Sequence, residues 1–210
     1  MSRAIVSLGC GPQARLLSLA ARSFRPYAAR HGYELELRTE VLDRSRPPAW
    51  SKIVLLRELA QRYELLVWLD ADLVIVDRSL DIATELEDGR FLYLAEHATK
   101  EGRMPNSGVM LLRGGAATTE FLDEVYAQED LVEHRWWENA AICRLLGYRL
   151  DPVGPGVPTP LLKERTKLIS PRWNSIPDAP AARPRIRHYP GYSLKVRGAF
   201  MARDLVLRRR

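Results

Sequence analysis

The sequence predicts an α/β domain built on a mostly parallel sheet flanked by helices. Three observations carry that expectation. Strand and helix patterns alternate through the first seventy residues, which is the mark of βαβ units and a right-handed parallel sheet. Leu65 to Leu69 is a continuous apolar strand, as expected where a sheet is covered on both faces. The chain of 210 residues, 46% hydrophobic and 28% charged, has the length and composition of one ordinary globular domain with a sizeable core.

The elements follow in order. Ala4 to Leu8 is a short β-rich run closed by the turn residues Gly9-Cys10-Gly11-Pro12. Arg15 to His31 has helical spacing in Leu16, Leu19, Ala20, Phe24, Tyr27 and Ala28, and Gly32 supplies a stop. Tyr33 to Leu37 alternates as a strand. Ser51 is expected to cap a helix whose apolar face is Ile53, Leu56, Leu59 and Ala60. After the Leu65 to Leu69 strand, Phe91 to Ala95 and Val109 to Leu112 read as strands. Ala117 to Ala127 and Trp136 to Leu146 read as helices, the second closed by Gly147. Asp151 to Pro160 and Pro171 to Pro190 are rich in proline and glycine and are expected as ordered loops that close over a site.

Composition excludes several classes. The net charge of +6 is spread among acids, and only Arg208-Arg209-Arg210 forms a basic run, so nucleic acid is not an expected partner. No stretch approaches the roughly 18 apolar residues of a membrane span. Arg15, Arg22 and Arg25 interrupt the apolar N-terminus before it resembles a signal peptide, and a cytoplasmic protein is expected. Cys10 and Cys143 are too few for a disulfide framework and lack metal-ligand spacing.

The chemistry centres on Asp70 and Asp72. In a parallel sheet, ligands bind beyond the carboxyl ends of the strands, and these carboxylates stand at that edge amid apolar neighbours. Burying them requires a cation or a basic partner. Carboxylates two residues apart can share a hard divalent cation whose remaining positions phosphate oxygens fill. A haloacid dehalogenase-like phosphatase also presents Asp-x-Asp after an apolar strand, but on its first strand, whereas two βα units precede Asp70 here. A sugar-nucleotide pyrophosphorylase would need a phosphate loop with Arg and a later Lys, which Gly9 to Gln13 does not supply. A noncatalytic nucleotide-sugar-binding protein is the remaining alternative.

Four elements in order resemble the retaining glycosyltransferases of GT-A fold that include yeast galactosyl- and mannosyltransferases and plant xylosyltransferases. They are Trp50-Ser51-Lys52, Val67-Trp68-Leu69-Asp70-Ala71-Asp72, Asn106-Ser107-Gly108-Val109 and His188-Tyr189-Pro190-Gly191. The resemblance implies a GT-A-type domain over 1–207, with a nucleotide-sugar half at about 1–113, an acceptor half at about 114–207 and a basic tail at 208–210. It implies Mn²⁺ or Mg²⁺ on Asp70, Asp72 and His188, and a nucleotide-sugar donor, a UDP-sugar foremost. Ser7, Gly9, Cys10, Lys52, Ala71, Asn106, Gly108, Gly191 and Lys195 are expected around that donor, and Glu138 and Asn139 beside the transferred sugar or the acceptor, a small molecule or glycan. The tryptophans Trp136 and Trp137 are expected in the core, and Trp173-Asn174 along the acceptor cleft. The sequence departs from the family in carrying Glu138-Asn139 where the family has Asp-Gln. Lys195 also lies further from His188 than the family's lysine lies from its histidine. Without the membrane anchor and stem of the eukaryotic relatives, a soluble or membrane-surface acceptor is expected.

Overall fold

A computed structural model of the protein describes residues 1–100 and 102–207. The basic tail expected at 208–210 lies outside the described residues. The elements run β1 (Arg3–Leu8), α1 (Ala14–His31), β2 (Glu34–Arg38), α2 (Ser51–Leu59), β3 (Leu65–Leu69), β4 (Leu73–Ile75), β5 (Leu92–Thr99) and β6 (Gly102–Arg113). They continue with α3 (Ala116–Tyr126), α4 (Trp137–Leu145), β7 (Arg149–Leu150), β8 (Val153–Gly154), β9 (Thr166–Ile169), β10 (Ile186–His188) and α5 (Leu194–Leu207).

The central sheet has the order β2-β1-β3-β6-β5-β9, with β6 alone running antiparallel to its neighbours β3 and β5. The expected mostly parallel α/β domain is therefore present. Alternation along β3 sends side chains to both faces. Leu66 and Trp68 join Ile53, Leu56, Leu122, Ala141 and Ile142 beneath α2, α3 and α4. Leu65, Val67 and Leu69 join Phe24, Tyr27, Leu73 and Met201 beneath α1 and α5. Every residue of β3 is buried, which is why it reads as an unbroken apolar run. No described helix is long and apolar enough to cross a membrane.

Three local expectations are corrected. Ser51 is not a cap: a short 3₁₀ turn at Pro48–Trp50 leads straight into α2, and the Ser51 hydroxyl instead accepts from the Leu42 amide at 3.1 Å. The strand expected over Val109 to Leu112 begins earlier, at Gly102, and includes Asn106 to Gly108. In this strand, β6, the pairing with β5 shifts between Leu94 and Ala95, so that Leu94 opposes Met110 and Ala95 opposes Asn106. The last third is also more regular than expected, because β9 extends the sheet, β10 pairs with β4, and α5 packs beside α1.

Candidate active site

The chain turns sharply after β3, where the Asp70 amide donates to the Gly108 carbonyl of the adjacent strand at 2.9 Å. Asp70 and Asp72 flank that turn, and β4 then leaves antiparallel to β10 with Leu73 opposite His188. The Tyr189 amide donates to the Asp72 carbonyl at 3.2 Å, so the C-terminal loop is bound back onto the acidic turn. That pairing brings residues 116 positions apart in the chain together in one site.

Each carboxylate has one oxygen taken and one presented. Asp70 Oδ1 accepts from the Trp68 indole at 2.7 Å and lies 3.1 Å from Lys52 Nζ. Asp72 Oδ2 accepts from Arg197 at 3.0 Å. The opposite oxygens face His188 Nε2, at 3.7 Å for Asp70 Oδ2 and 3.3 Å for Asp72 Oδ1. His188 is 2% exposed, and its Nδ1 meets Asn174 Oδ1 at 2.9 Å. The Asn174 amide group in turn donates to Asn106 Oδ1 at 2.9 Å, which fixes its oxygen toward the imidazole and assigns the ring hydrogen to Nδ1.

His188 Nε2 therefore faces one oxygen of each aspartate, a convergence that a shared cation can satisfy. One ligand atom from each of Asp70, Asp72 and His188 lies within 4.8 Å of the others. Hard divalent cations sit roughly 2.0–2.6 Å from their ligands, so atoms so spaced fit around one ion. The Asn174 bond is the outer support that ligating histidines ordinarily carry. Burial alone would raise the Asp72 carboxyl. The neighbouring His188 and Arg197 overcome it and hold the carboxyl below its usual range.

Beside this group lies a buried charge cluster. Lys52, 5% exposed, reaches Glu138 Oε1 at 2.6 Å as well as Asp70, and donates to the Ser107 hydroxyl at 3.2 Å. Burial opposes its charge, but the two carboxylates more than offset this and hold it protonated. Burial raises the Glu138 carboxyl, with Lys52 pulling the other way. Lys52 thus lies between carboxylates and ties α2 to α4 and the β3 edge. Asn139 Oδ1 accepts from the Ser107 amide at 2.7 Å, joining α4 to β6.

These side chains line a cavity of about 920 Å³ above the sheet edge. Of the residues the sequence singled out, Asp70, Ala71, Asp72, Lys52, Cys10, Asn106, Gly108, Glu138, Asn139, His188 and Gly191 border it. Several expected residues do not. Ser7 is wholly buried in β1 and Gly9 is packed where an added Cβ would stand 2.9 Å from the Gln13 carbonyl and Leu17, so neither borders the cavity. Lys195 is exposed on α5 and turned away, and Arg197, two residues on, provides the cation at Asp72. Trp173 is core, with its indole on Glu85, and Asn174 supports His188 instead of lining a cleft. Trp136 and Trp137, expected in the core, instead wall the cavity.

Gly108 also has a different reason from the one expected. A Cβ there would stand 2.7 Å from His188 Nδ1 and closer still to Cε1, so the glycine makes room for the imidazole. Sequence reading missed His97, which borders the cavity from β5. It is buried with neither ring nitrogen partnered among the described residues.

The model of the galactosyl transferase GMA12/MNN10 family matches residues 12–105, a span that holds α1, Lys52 and both aspartates. The chain is similar to that family over this span, and its fold is of GT-A type. Solved structures of glycosyltransferases agree with the chain in fold. One is an enzyme involved in glycosylating the major capsid of PBCV-1, at 16% identity and a TM-score of 0.72, covering 97% of this chain and 100% of that one. Another is the galactosyltransferase LgtC in complex with donor and acceptor sugar analogs, at 12% identity and a TM-score of 0.58, with 95% of each chain covered. A third is mouse xyloside xylosyltransferase 1, at 10% identity and a TM-score of 0.54, covering 91% and 98%. No curated protein sequence matches the chain. The phosphatase alternative is not favoured, since the acidic turn follows the third strand of the chain and not the first.

Proposed function

We propose that the protein is a glycosyltransferase that moves a hexosyl or pentosyl group from a UDP-sugar to an acceptor hydroxyl with retention of configuration. In this reading Asp70, Asp72 and His188 hold Mn²⁺, or Mg²⁺ in its place. The observation that carries the reading is the convergence of one oxygen from each aspartate on the His188 nitrogen that Asn174 leaves without a hydrogen. When bound, the cation neutralises the donor diphosphate and stabilises the departing nucleotide as a Lewis acid.

The protein's own groups supply orientation and charge. Arg197 holds Asp72 and stands at the cavity wall, where its guanidinium can also meet phosphate oxygens. Lys52 fixes Asp70 and Glu138 as one unit, so their carboxylates do not move when the donor arrives. Glu138, engaged with Lys52, faces the transferred sugar and Asn139 lies beside it, while the acceptor oxygen attacks from the face the nucleotide leaves. Residues 1–113 serve the nucleotide sugar. Residues 114–207 serve the acceptor, with His188 and Arg197 returning to complete the donor site. We place the activity in the cytoplasm, a reading supported by two buried cysteines that are free thiols.

Nucleotide release from a panel of UDP-sugars tests the proposal. Release is expected with Mn²⁺, abolished by EDTA, and reduced about 100-fold or more in Asp72→Ala. Release that persists in EDTA, or full activity in the variant, would overturn it, and no release at all would favour a noncatalytic binder.

A further inference from the structure

The polar side chains around the cavity are almost all committed to one another. Lys52 holds Glu138 and Asp70, Arg197 holds Asp72, Asn139 holds Ser107, and Asn174 holds His188. Among the buried, described side chains of the cavity wall, His97 is the exception. It is 3% exposed, borders the cavity, and has neither ring nitrogen partnered among the described residues. Buried polar groups are almost always satisfied, so a buried, unpartnered imidazole in a cavity wall marks a place where a ligand can supply the bond once the side chain turns toward it.

Its place in the sheet says which part of the ligand. In the order β2-β1-β3-β6-β5-β9, the loop after β1 brings Cys10 to the cavity, the turn after β3 brings Asp70 and Asp72, and β5 brings His97. Strands lie about 4.8 Å apart, so β5 stands roughly 10 Å beyond the acidic turn, on the side away from β1. His97 opposes Met104 across the β5–β6 hairpin, two residues past the Ala95–Asn106 pair and so further out over the cavity. If the diphosphate lies at Asp70 and Asp72 and the nucleoside extends toward β1, the sugars lie toward β5.

Its chemistry says what it recognises. Burial and the nearby His188 lower its pKa to about 4, against a weaker pull from Glu96. The imidazole is therefore neutral near pH 7, with one donor and one acceptor. That pair complements a hydroxyl, which both donates and accepts. It does not complement a phosphate, which at this pH chiefly accepts.

We infer that His97 recognises a hydroxyl of the acceptor sugar and sets acceptor specificity. The inference rests on the functional reading above. It extends that reading by giving the acceptor a named protein contact and a chemical class, an uncharged glycoside.

The test uses the full chain loaded with UDP and Mn²⁺. Binding of methyl hexopyranosides and pentopyranosides is followed by saturation-transfer NMR in the wild type, His97→Phe and His97→Gln. At least one glycoside is expected to bind. His97→Phe should weaken it about 10-fold or more, with the melting temperature unchanged or raised, because a similar shape replaces two unsatisfied polar atoms. His97→Gln should recover part of the affinity, since an amide again offers a donor and an acceptor. A monodeoxy glycoside lacking the contacted hydroxyl should bind the wild type as weakly as the parent binds His97→Phe. Wild-type glycoside affinity in His97→Phe would overturn the inference, as would a parallel loss of UDP affinity, which would put His97 on the donor side. If His97→Phe does not fold, the deoxy series on the wild type decides, and equal binding across it overturns the inference. Failure of all glycosides to bind a wild-type protein that still releases nucleotide sinks this inference alone. Absence of nucleotide release sinks the functional reading beneath it.

Discussion

Replacing Lys52 by methionine keeps most of the side-chain volume but leaves two carboxylates facing each other without their cation. Lys52 is buried, 2.6 Å from Glu138 and 3.1 Å from Asp70, and Glu138 is as buried as the lysine. Removing one partner of such a pair costs about 3–5 kcal/mol. For a chain of this length each kcal/mol moves the melting temperature by roughly 2–4 °C, so a fall of about 6–20 °C is expected. The loss should depend on pH. Burial already raises the Glu138 carboxyl, and without Lys52 to oppose it the folded value rises further. A carboxyl whose folded value exceeds its unfolded one contributes stability that is complete below the unfolded value. That contribution is lost as pH climbs through the folded value. The deficit of Lys52→Met should therefore be small near pH 5 and grow toward pH 8, by no more than about 1.4 kcal/mol per pH unit. Adding Glu138→Gln removes the orphaned charge and should return about 0.5–3 kcal/mol. Thermal melts in EDTA at both pH values measure all of this. A fall under about 2 °C at pH 8, or a double variant no better than the single, would refute the view that Lys52 neutralises this cluster.

Three further outcomes are expected. Asn174→Ala removes the group that orients His188 and should weaken Mn²⁺ binding about 10–100-fold by calorimetry while leaving both aspartates in place. Gly108→Ala drives a methyl into the His188 ring and should destabilise by about 1–3 kcal/mol, with a loss of Mn²⁺ affinity that an alanine elsewhere on β6 does not cause. Asp204 is buried and accepts from Arg187, Arg203 and Tyr189, so Asp204→Ala should cost about 3–5 kcal/mol in chemical denaturation and loosen α5, which carries Arg197.

What was legible in the sequence followed from how strongly each local pattern was set. Leu65 to Leu69 reads as a covered strand because every one of its side chains is buried, and the strand end then locates Asp70 and Asp72. The α1 boundaries were readable because apolar residues recur at helical spacing and Gly32 adopts the left-handed conformation at its end. α5 was missed because its inward face is Arg197, Gly198, Met201, Asp204 and Leu205. The spacing is helical, but two of those five are charged, so no apolar stripe appears. Polar satisfaction through Tyr189 and Arg187 docks that helix, and no periodicity of hydrophobic residues reports it. Lys195 was expected from the family's lysine alone, and without the helix nothing in the sequence showed that Arg197 faces inward. Gly108 was assigned to ligand contact because its true neighbour, His188, lies 80 residues downstream. His97 carries no motif, and only its burial without partners identifies it.

The charges around the cavity suggest why donor and cation must arrive together. At the acidic turn three carboxylates, Asp70, Asp72 and Glu138, meet two permanent cations, Lys52 and Arg197, while Lys100, Arg135 and Asp178 line the cavity as well. Among those five groups the net charge is −1, at the place proposed for the donor diphosphate, in a setting where Coulomb terms are only partly screened. A divalent cation reverses the sign to +1 and makes the same cavity attractive to the donor. Glu138 remains paired with Lys52 throughout, so the reversal rests on the two oxygens that Asp70 and Asp72 present to His188. The linkage is reciprocal, so UDP should bind more tightly in the presence of Mn²⁺ by the same factor that Mn²⁺ binds more tightly in the presence of UDP. Titrations in which the two affinities proved independent would show that the diphosphate lies elsewhere than over the acidic turn.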